Sequence, residues 1–155
     1  MSQVPIRRAG IAPYICVRGA AEAIDFYVAA FGAVESFRLT EPEGKVGHAE
    51  LHVGDGVLMI SDEYPDFGAK APPSFGGSPV SLHLSVADCD AAVARAEAVG
   101  ATVLRAPKDE FYGDRSAMVA CPFGYRWHLT AAREDITPEQ MQARWTAMLL
   151  GEPTP

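Results

Sequence analysis

The sequence predicts an α+β protein built from two consecutive βαβββ halves, followed by one more helix. Each half begins with a strand-like run, continues with a helix-like segment and ends with three further strand-like runs. Gly32 and Gly100 end the two helix-like segments and lie 68 residues apart. Gly56 and Gly124, in the last hairpin of each half, are separated by the same interval. A common interval at two points of the pattern indicates that one unit has been duplicated.

Local patterns predict each element of the two halves. Apolar residues recur at helical spacing over 20–31, and Asp88 is well placed as the N-cap of a helix over 90–99. The Asp55-Gly56 pair is a strong hairpin signal. The predicted strands of the first half are 11–17, 33–39, 46–53 and 57–62. Those of the second half are 81–86, 101–105, 116–121 and 125–131.

These elements divide the chain into one main domain over residues 1–135 and a C-terminal helix with its tail over 136–155. The predicted boundaries inside the main domain are 11–62 for the first module, 64–79 for a linker and 80–131 for the second module. The linker is rich in proline and glycine, so it forms a connection or a long loop that covers a pocket. Thr137-Pro138-Glu139-Gln140 is a capping-box arrangement that opens the final helix.

Composition limits the classes of partner and the cellular location. Twenty acidic residues against thirteen basic ones give a net charge of −7, which opposes binding to nucleic acid or to anionic membranes. No apolar run approaches the roughly 20 residues that span a bilayer. The N-terminus lacks the apolar segment of a signal peptide, and the three cysteines match no zinc or CxxC motif. We therefore expect a cytoplasmic protein with free thiols.

Alternation along the strands separates side chains that cover the helices from side chains on the opposite face. All four histidines are predicted on the face away from the helices, with Glu50 between His48 and His52. A solvent-exposed face or hydrogen-bonded buried histidines would also explain these residues. The candidate ligand-binding residues on this face are Tyr14, Leu58, Ile60, Asp62, Ser81, His83, Arg126 and His128.

The chain resembles the vicinal oxygen chelate superfamily, which contains glyoxalase I, bleomycin-resistance proteins and extradiol dioxygenases. The residues that carry the resemblance are PYICV (13–17), AIDFYVAAFGA (23–33), HAELHVGDGVLMISDE (48–63), LHLSVADCDAAVARAEAVGATV (82–103) and FYGDRSAMVACPFGYRWHL (111–129). The tail EDITPEQM (134–141) is similar to the PhnB-like branch. The resemblance implies two tandem βαβββ modules forming a cup-shaped mixed sheet, plus a C-terminal helix, in a homodimer.

The metal-using members of this superfamily take one ligand from each of the first, fourth, fifth and eighth strands. By strand register, those places here hold Ala12, Ile60, Ser81 and His128. Only His128 ligates a transition metal well. We therefore expect no metal cofactor, and glyoxalase I or iron-dependent dioxygenase activity is disfavoured. A divalent metal bound in an unusual way through Tyr14, Asp62 and His83 is the alternative.

Two classes of function follow from these residues. The first is a metal-free protein that binds a small molecule, for instance by sequestering an aromatic metabolite or an antibiotic. The second is a metal-independent lyase or isomerase in which His83 or His128 acts as the acid–base group and Arg115 or Arg126 stabilises negative charge. In this second hypothesis Tyr112 stacks on the substrate from a rim loop, and Asp114 orients Arg115. Both require Tyr14, His83 and His128 to face one shared hollow, within one chain or between two.

Overall fold

The structure is a computed structural model that describes residues 9–155. The prediction that the N-terminus lacks a signal peptide concerns residues that lie mostly outside this range. The first module consists of β1 (Tyr14–Val17), α1 (Ala20–Phe31), β2 (Val34–Thr40), β3 (Val46–Val53) and β4 (Gly56–Asp62). The second consists of β5 (Ser81–Ser85), α2 (Cys89–Ala98), β6 (Thr102–Asp109), β7 (Asp114–Ala120) and β8 (Arg126–Ala132). The last helix, α3, spans Pro138–Leu150. The predicted α+β architecture of two βαβββ modules with a C-terminal helix is confirmed.

Each module folds into its own four-stranded mixed sheet with the same topology. The strand orders are β1-β4-β3-β2 and β5-β8-β7-β6. The first strand of each module pairs in parallel with its last strand, and the other pairs are antiparallel. Parallel neighbours need a long crossover between them, and the helix together with two strands supplies it in both modules.

The two sheets share one hydrophobic core, which α1 and α2 occupy. The two helices pack against each other. From α1, Tyr27 and Phe31 contact Trp127 of β8, with ring centroids 5.1 and 4.5 Å away. The Tyr27 hydroxyl also lies 3.3 Å from the Cys121 thiol of the second module. Both sheets therefore turn their helix-covered faces toward this common core, and their other faces point outward.

We call the outward face of β1, β4 and β3 the first open face, and that of β5, β8 and β7 the second open face. Tyr14 on the first open face is 50% exposed. On the second, Ser81 and His83 are exposed, whereas Leu82 and Leu84 between and beside them are buried. The alternation predicted for β1, β3, β5 and β8 is confirmed.

The predicted orientation of β4 is wrong. Leu58 and Ile60 pair with Leu51 and Ala49 on the helix side, where their exposures are only 3% and 0%. They belong to the core and cannot line an open face. Met59 takes that position instead, because it is directly opposite Tyr14 in the parallel pair.

The predicted 68-residue interval holds for the helix ends but not for the last hairpins. Gly56 starts β4 directly opposite Val53, whereas Gly124 lies in a longer turn between the paired residues Ala120 and Arg126. These two glycines are not equivalent. A shift of one residue moves every side chain of a strand to the other face.

Residues 64–79, which we call the strap, fold into short turns instead of running as an extended segment. They contain two short 3-10 turns, Pro65–Phe67 and Pro72–Phe75. The Glu63 carboxylate accepts hydrogen bonds from the Ala71 amide at 2.6 Å, the Ser74 hydroxyl at 2.5 Å and the Arg18 guanidinium at 2.9 Å. These bonds lower the pKa of Glu63 to about 2. The Glu63 carboxylate therefore ties the middle of the strap to the first module.

Asp62 has a structural position rather than the predicted ligand-binding one. Its Oδ1 accepts hydrogen bonds from the amides of Gly19 and Ala20 at the start of α1, at 3.0 and 2.9 Å. Its Oδ2 accepts a bond from the Val46 amide at 2.8 Å. One carboxylate thus satisfies helix amides that no intrahelical carbonyl can reach, and it also ties β3 to β4.

We expect Asp62→Ala to destabilise the fold by roughly 2–4 kcal/mol, because three backbone amides lose a charged acceptor. Urea denaturation followed by circular dichroism measures this loss. The exposed Asp66 provides the control, and Asp66→Ala should change the unfolding free energy by less than about 0.5 kcal/mol. Unchanged stability in Asp62→Ala would contradict the structural role.

Candidate functional site

Two histidines lie side by side on the second open face. His83 of β5 and His128 of β8 are direct neighbours across the parallel pair. Their ring centroids are 5.8 Å apart and the rings meet edge to face. His83 Nε2 lies 3.2 Å from the Thr130 hydroxyl. The structure therefore brings these two predicted site residues together.

A guanidinium that the sequence did not indicate faces His128. Arg105 of β6 places Nη2 2.6 Å from His128 Nε2 and 3.1 Å from the Ser116 hydroxyl. Its Nη1 donates to Glu110 Oε1 at 2.8 Å. Because a guanidinium only donates hydrogen bonds, His128 Nε2 is the acceptor in this contact. His128 is thereby held as a neutral imidazole.

Glu110, Ser116 and Tyr112 complete the arrangement, which we call the polar cluster together with Arg105 and His128. The Glu110 side chain is 8% exposed, and Ser116 is fully buried. Ser116 donates its hydroxyl to Glu110 at 2.7 Å, and Tyr112 donates its own to Ser116 at 3.1 Å. Arg105 Nε is buried and has no hydrogen-bond partner among residues 9–155. A buried donor of this kind is costly unless a ligand or a water satisfies it.

The surroundings of His128 lower its pKa below the ordinary value of 6.5. Burial contributes most, because it disfavours the charged imidazolium, and the positive charge of Arg105 and neighbouring His83 act in the same direction. Glu110 opposes them. Near neutral pH, His128 is consequently an uncharged group that accepts hydrogen bonds.

Alternation alone could not have placed Arg105 in this cluster. Val103 pairs with Val119, whose side chain is buried on the helix side, so Arg105 would be expected on the same side two residues later. A register shift between Val103 and Arg105 instead sets Arg105 opposite Met118, on the open face. Such an irregularity re-aims one side chain. The position of the Ser116 side chain on the open face, by contrast, is what alternation with Ala117 along β7 predicts.

Of the remaining predicted site residues, three lie on or beside the second open face. Ser81 and Arg126 pair with each other at the exposed start of β5 and β8. Tyr112 lies in the loop before β7, where its hydroxyl contacts the polar cluster. These positions agree with the predicted ones, and their roles in ligand binding stay predictions.

The predicted position of Arg115 is wrong. Arg115 pairs with Ala131 in the register next to buried Ala117, so it lies on the helix side of β7. Its guanidinium donates twice to Asp90 of α2, at 2.5 and 3.0 Å, and once to Asp109 at 3.0 Å. Those bonds raise the pKa of Arg115 above its ordinary value. Asp90 and Asp109, rather than Asp114, orient Arg115, and it cannot stabilise charge beside His128.

The predicted hollow shared by Tyr14, His83 and His128 is not formed within one chain. Tyr14 belongs to the first open face, where its hydroxyl lies 2.7 Å from His48 Nδ1. His83 and His128 belong to the second open face. Because both sheets direct their helix-covered sides to the common core, the two open faces look in different directions.

The residues at the four superfamily metal positions do not fit a transition metal. Since Tyr14 is opposite Met59 just as His83 is opposite His128, the corrected fourth-strand position is Met59. Among residues 9–155 no three His, Cys, Asp or Glu side chains converge as a metal site. A cationic guanidinium already engages His128 Nε2. The alternative set also fails, because Asp62 caps α1 and Tyr14 lies on the other sheet.

We expect Arg105→Met to raise the pKa of His128, because the variant removes a positive charge and the hydrogen bond that the neutral imidazole accepts. The folded protein holds the pKa of His128 below the unfolded value, so stability should fall as pH drops below about 6.5, and the variant should reduce that fall. Histidine NMR titration measures the pKa directly. Arg126→Met, at an exposed position on the same face, is the control. A lower pKa of His128 in Arg105→Met would contradict the proposed contact.

Comparisons with known proteins identify the family. Residues 9–129 match the family model of the Glyoxalase/Bleomycin resistance protein/Dioxygenase superfamily. An uncharacterized protein of Mycobacterium bovis is 43% identical over 136 residues, which cover 86% of this chain and 90% of that protein.

Two solved structures share the fold. TioX from Micromonospora sp. ML1 superposes with a TM-score of 0.62 at 23% identity, over 83% of this chain and all of its own. A Bacillus cereus structure described as a putative 3-demethylubiquinone-9 3-methyltransferase, PhnB protein, superposes with a TM-score of 0.61 at 18% identity, over 80% of this chain and all of its own. Together with the match over residues 9–129, the paired βαβββ modules show that the chain belongs to the glyoxalase/bleomycin resistance protein/dioxygenase superfamily.

Proposed function

We propose that the chain is a metal-free small-molecule-binding protein that holds its ligand on the second open face. The observation that carries this proposal is the polar cluster, in which a buried Arg105 Nε–H points to no partner among the described residues. An unsatisfied buried donor beside a neutral imidazole favours a ligand that brings an acceptor. Near the cluster, Ser81 and Arg126 add further donors.

The chemistry of this face favours an aromatic ligand that carries an acidic group. Arg105 recognises a carboxylate or phenolate better than a neutral group when it exchanges its bonds to Ser116 and His128 for a charged acceptor. The edge-to-face pair of His83 and His128 offers ring surfaces for stacking, and Tyr112 offers another at the rim. An aromatic metabolite or an antibiotic with such an acidic group combines both features.

A second candidate function is acid–base catalysis by the same face, as in a metal-independent lyase or isomerase. The lowered pKa of His128 favours it, because a neutral imidazole can accept a proton. In the free protein Arg105 donates to the His128 lone pair. An anionic ligand that takes over the Arg105 donors would free His128 Nε2 to act as the base, with His83 beside it.

Calorimetric titration with a panel of aromatic carboxylic acids, phenols and aromatic antibiotics tests the binding proposal. We expect at least one aromatic acid to bind with a micromolar dissociation constant, and Arg105→Met to weaken it at least tenfold. Arg133→Met, which removes an exposed cation paired with Asp109, should leave binding unchanged. Absence of binding across the panel would refute the proposal.

NMR spectra of the same mixtures, recorded over time, test the second candidate function. Catalysis requires that the ligand is converted to a product, and that His83→Gln or His128→Gln abolishes this conversion.

We also propose that the protein is a homodimer in which a second copy covers exposed apolar surface. The helix α3 supports this, because only Ala147 of its thirteen residues is buried. Its exposed apolar residues include Met148 and Leu149, which are 49% and 65% exposed. A contiguous apolar patch at the surface indicates an interaction site.

Sedimentation equilibrium should therefore give twice the chain mass of 16.6 kDa. Replacing Leu149 by Glu should raise the dimer dissociation constant at least tenfold, since a charge would be buried at the interface. Ala143→Glu, an exposed position elsewhere on α3, should not. If the wild-type protein sedimented as a monomer at 100 µM, a homodimer with a dissociation constant of about 1 µM would be ruled out.

A further inference from the structure

The turn between β6 and β7, over residues 110–113, carries two members of the polar cluster. Glu110 accepts a hydrogen bond from Arg105 at 2.8 Å, and Tyr112 donates its hydroxyl to Ser116 at 3.1 Å. We call these four residues the β6–β7 turn. Its position determines whether Glu110 engages Arg105 and whether the Tyr112 ring borders the second open face.

The segment that leaves β8 lies directly on the β6–β7 turn. The Gly113 carbonyl accepts hydrogen bonds from the amides of Arg133 and Glu134, both at 3.0 Å. Gly113 has a φ of +92°, and a Cβ at this position would lie 2.8 Å from the Glu134 carbonyl oxygen. Glycine is the residue that permits so close an approach of two backbones. The turn is therefore in tight contact with the segment that leads into α3.

Two side chains of α3 hold the same turn. Arg144 Nη1 donates to the Phe111 carbonyl at 3.2 Å, and the guanidinium also pairs with the Glu134 carboxylate. The Trp145 ring lies against the Phe111 ring, with centroids 5.2 Å apart. Phe111 in turn meets Tyr112 edge to face, with centroids 5.1 Å apart. The helix thus reaches the Tyr112 ring through a single intervening residue.

Loss of the Arg144 guanidinium should loosen the β6–β7 turn without unfolding the chain. A charged donor makes a hydrogen bond roughly twice as strong as a neutral one, so Arg144 restrains the turn more than a neutral side chain would. The backbone bonds to the Gly113 carbonyl do not involve α3 and would remain. Only Ala147 of the thirteen helix residues is buried, so the core does not depend on the exact placement of α3.

We propose that Arg144 is a positioning residue for the second open face and that α3 thereby makes this site selective for aromatic acids. The inference rests on the proposed function, in which Arg105 binds the acidic group and Tyr112 stacks on the ring. Arg144 does not touch the ligand, and it acts by holding Phe111 so that the Tyr112 ring stays at the edge of the face. Without Arg144, the acidic group still meets Arg105, but the stacking surface is no longer fixed.

The test compares 2-naphthoate with its saturated counterpart, decahydro-2-naphthoate, by calorimetric titration of the full chain. Both probes bring the same carboxylate to Arg105, but only 2-naphthoate has a flat aromatic ring. We expect the wild type to prefer 2-naphthoate about fivefold, and Arg144→Met to reduce this preference below about twofold. Arg95→Met is the matched control, because Arg95 of α2 also donates to a main-chain carbonyl, that of Ala29 at 2.8 Å. It should keep the full preference.

Amide hydrogen exchange of the free protein, measured by NMR, tests the positioning without any ligand. The amides of Glu110 and Gly113 are hydrogen-bonded across the turn, to the carbonyls of Asp114 and Glu110. Arg144→Met should speed their exchange at least about threefold, because the turn opens more often, and Arg95→Met should leave it unchanged. Circular dichroism confirms that each variant is folded.

Unchanged exchange in Arg144→Met would overturn the positioning role, whether or not a ligand binds. Equal affinity of the wild type for the two probes, or a full preference retained in Arg144→Met, would overturn the role of α3 in selectivity. If neither probe bound the wild type while Arg144→Met still sped the exchange, the proposed function would fail and the placement of the turn by Arg144 would stand.

Discussion

The packing of α1 from the first module against β8 of the second is the constraint on which the other features of the molecule depend. Tyr27 and Phe31 contact Trp127, and each aromatic pair adds about 0.5–1.5 kcal/mol to the burial of its surface. Because the helix-covered sides of both sheets meet here, the two sheets cannot enclose a hollow within one chain. The chemistry of the protein is consequently divided between two outward faces, each with its own polar residues.

Much of the fold could be predicted because local signals and the duplication agree. Gly32 and Gly100 mark the ends of the two helices, and β5 and β8 alternate clearly between apolar and polar residues. These signals fix the type and the approximate bounds of the main elements. The strand β4 shows where this fails, since Val57, Leu58, Met59 and Ile60 are all apolar and carry no alternation. The other half offers no reliable register for this strand either, because the hairpin turns of the two halves differ in length.

The candidate site was predictable in its histidines but not in its cations. His83 and His128 are set by the strand register, which alternation specifies. Arg105 is set by an irregularity in β6, whereas Arg115 shares the helix side of β7 with buried Ala117 and there pairs with Asp90, 25 positions earlier in the chain. Which carboxylate an arginine pairs with is decided by tertiary packing, because neither partner carries a local signal. The polar cluster was therefore visible only in three dimensions.

The duplication supplies equivalent positions but not equivalent chemistry. Tyr14 and His83 occupy matching places, as do Met59 and His128, so each histidine of the second face corresponds to a residue without an imidazole on the first. Of the four superfamily metal positions in this chain, only the eighth-strand one, at His128, carries a good transition-metal donor. On the second open face, His128 at the eighth-strand position accepts a hydrogen bond from Arg105. Equivalent positions of the two modules thus carry different side chains, so each open face has its own polar contacts.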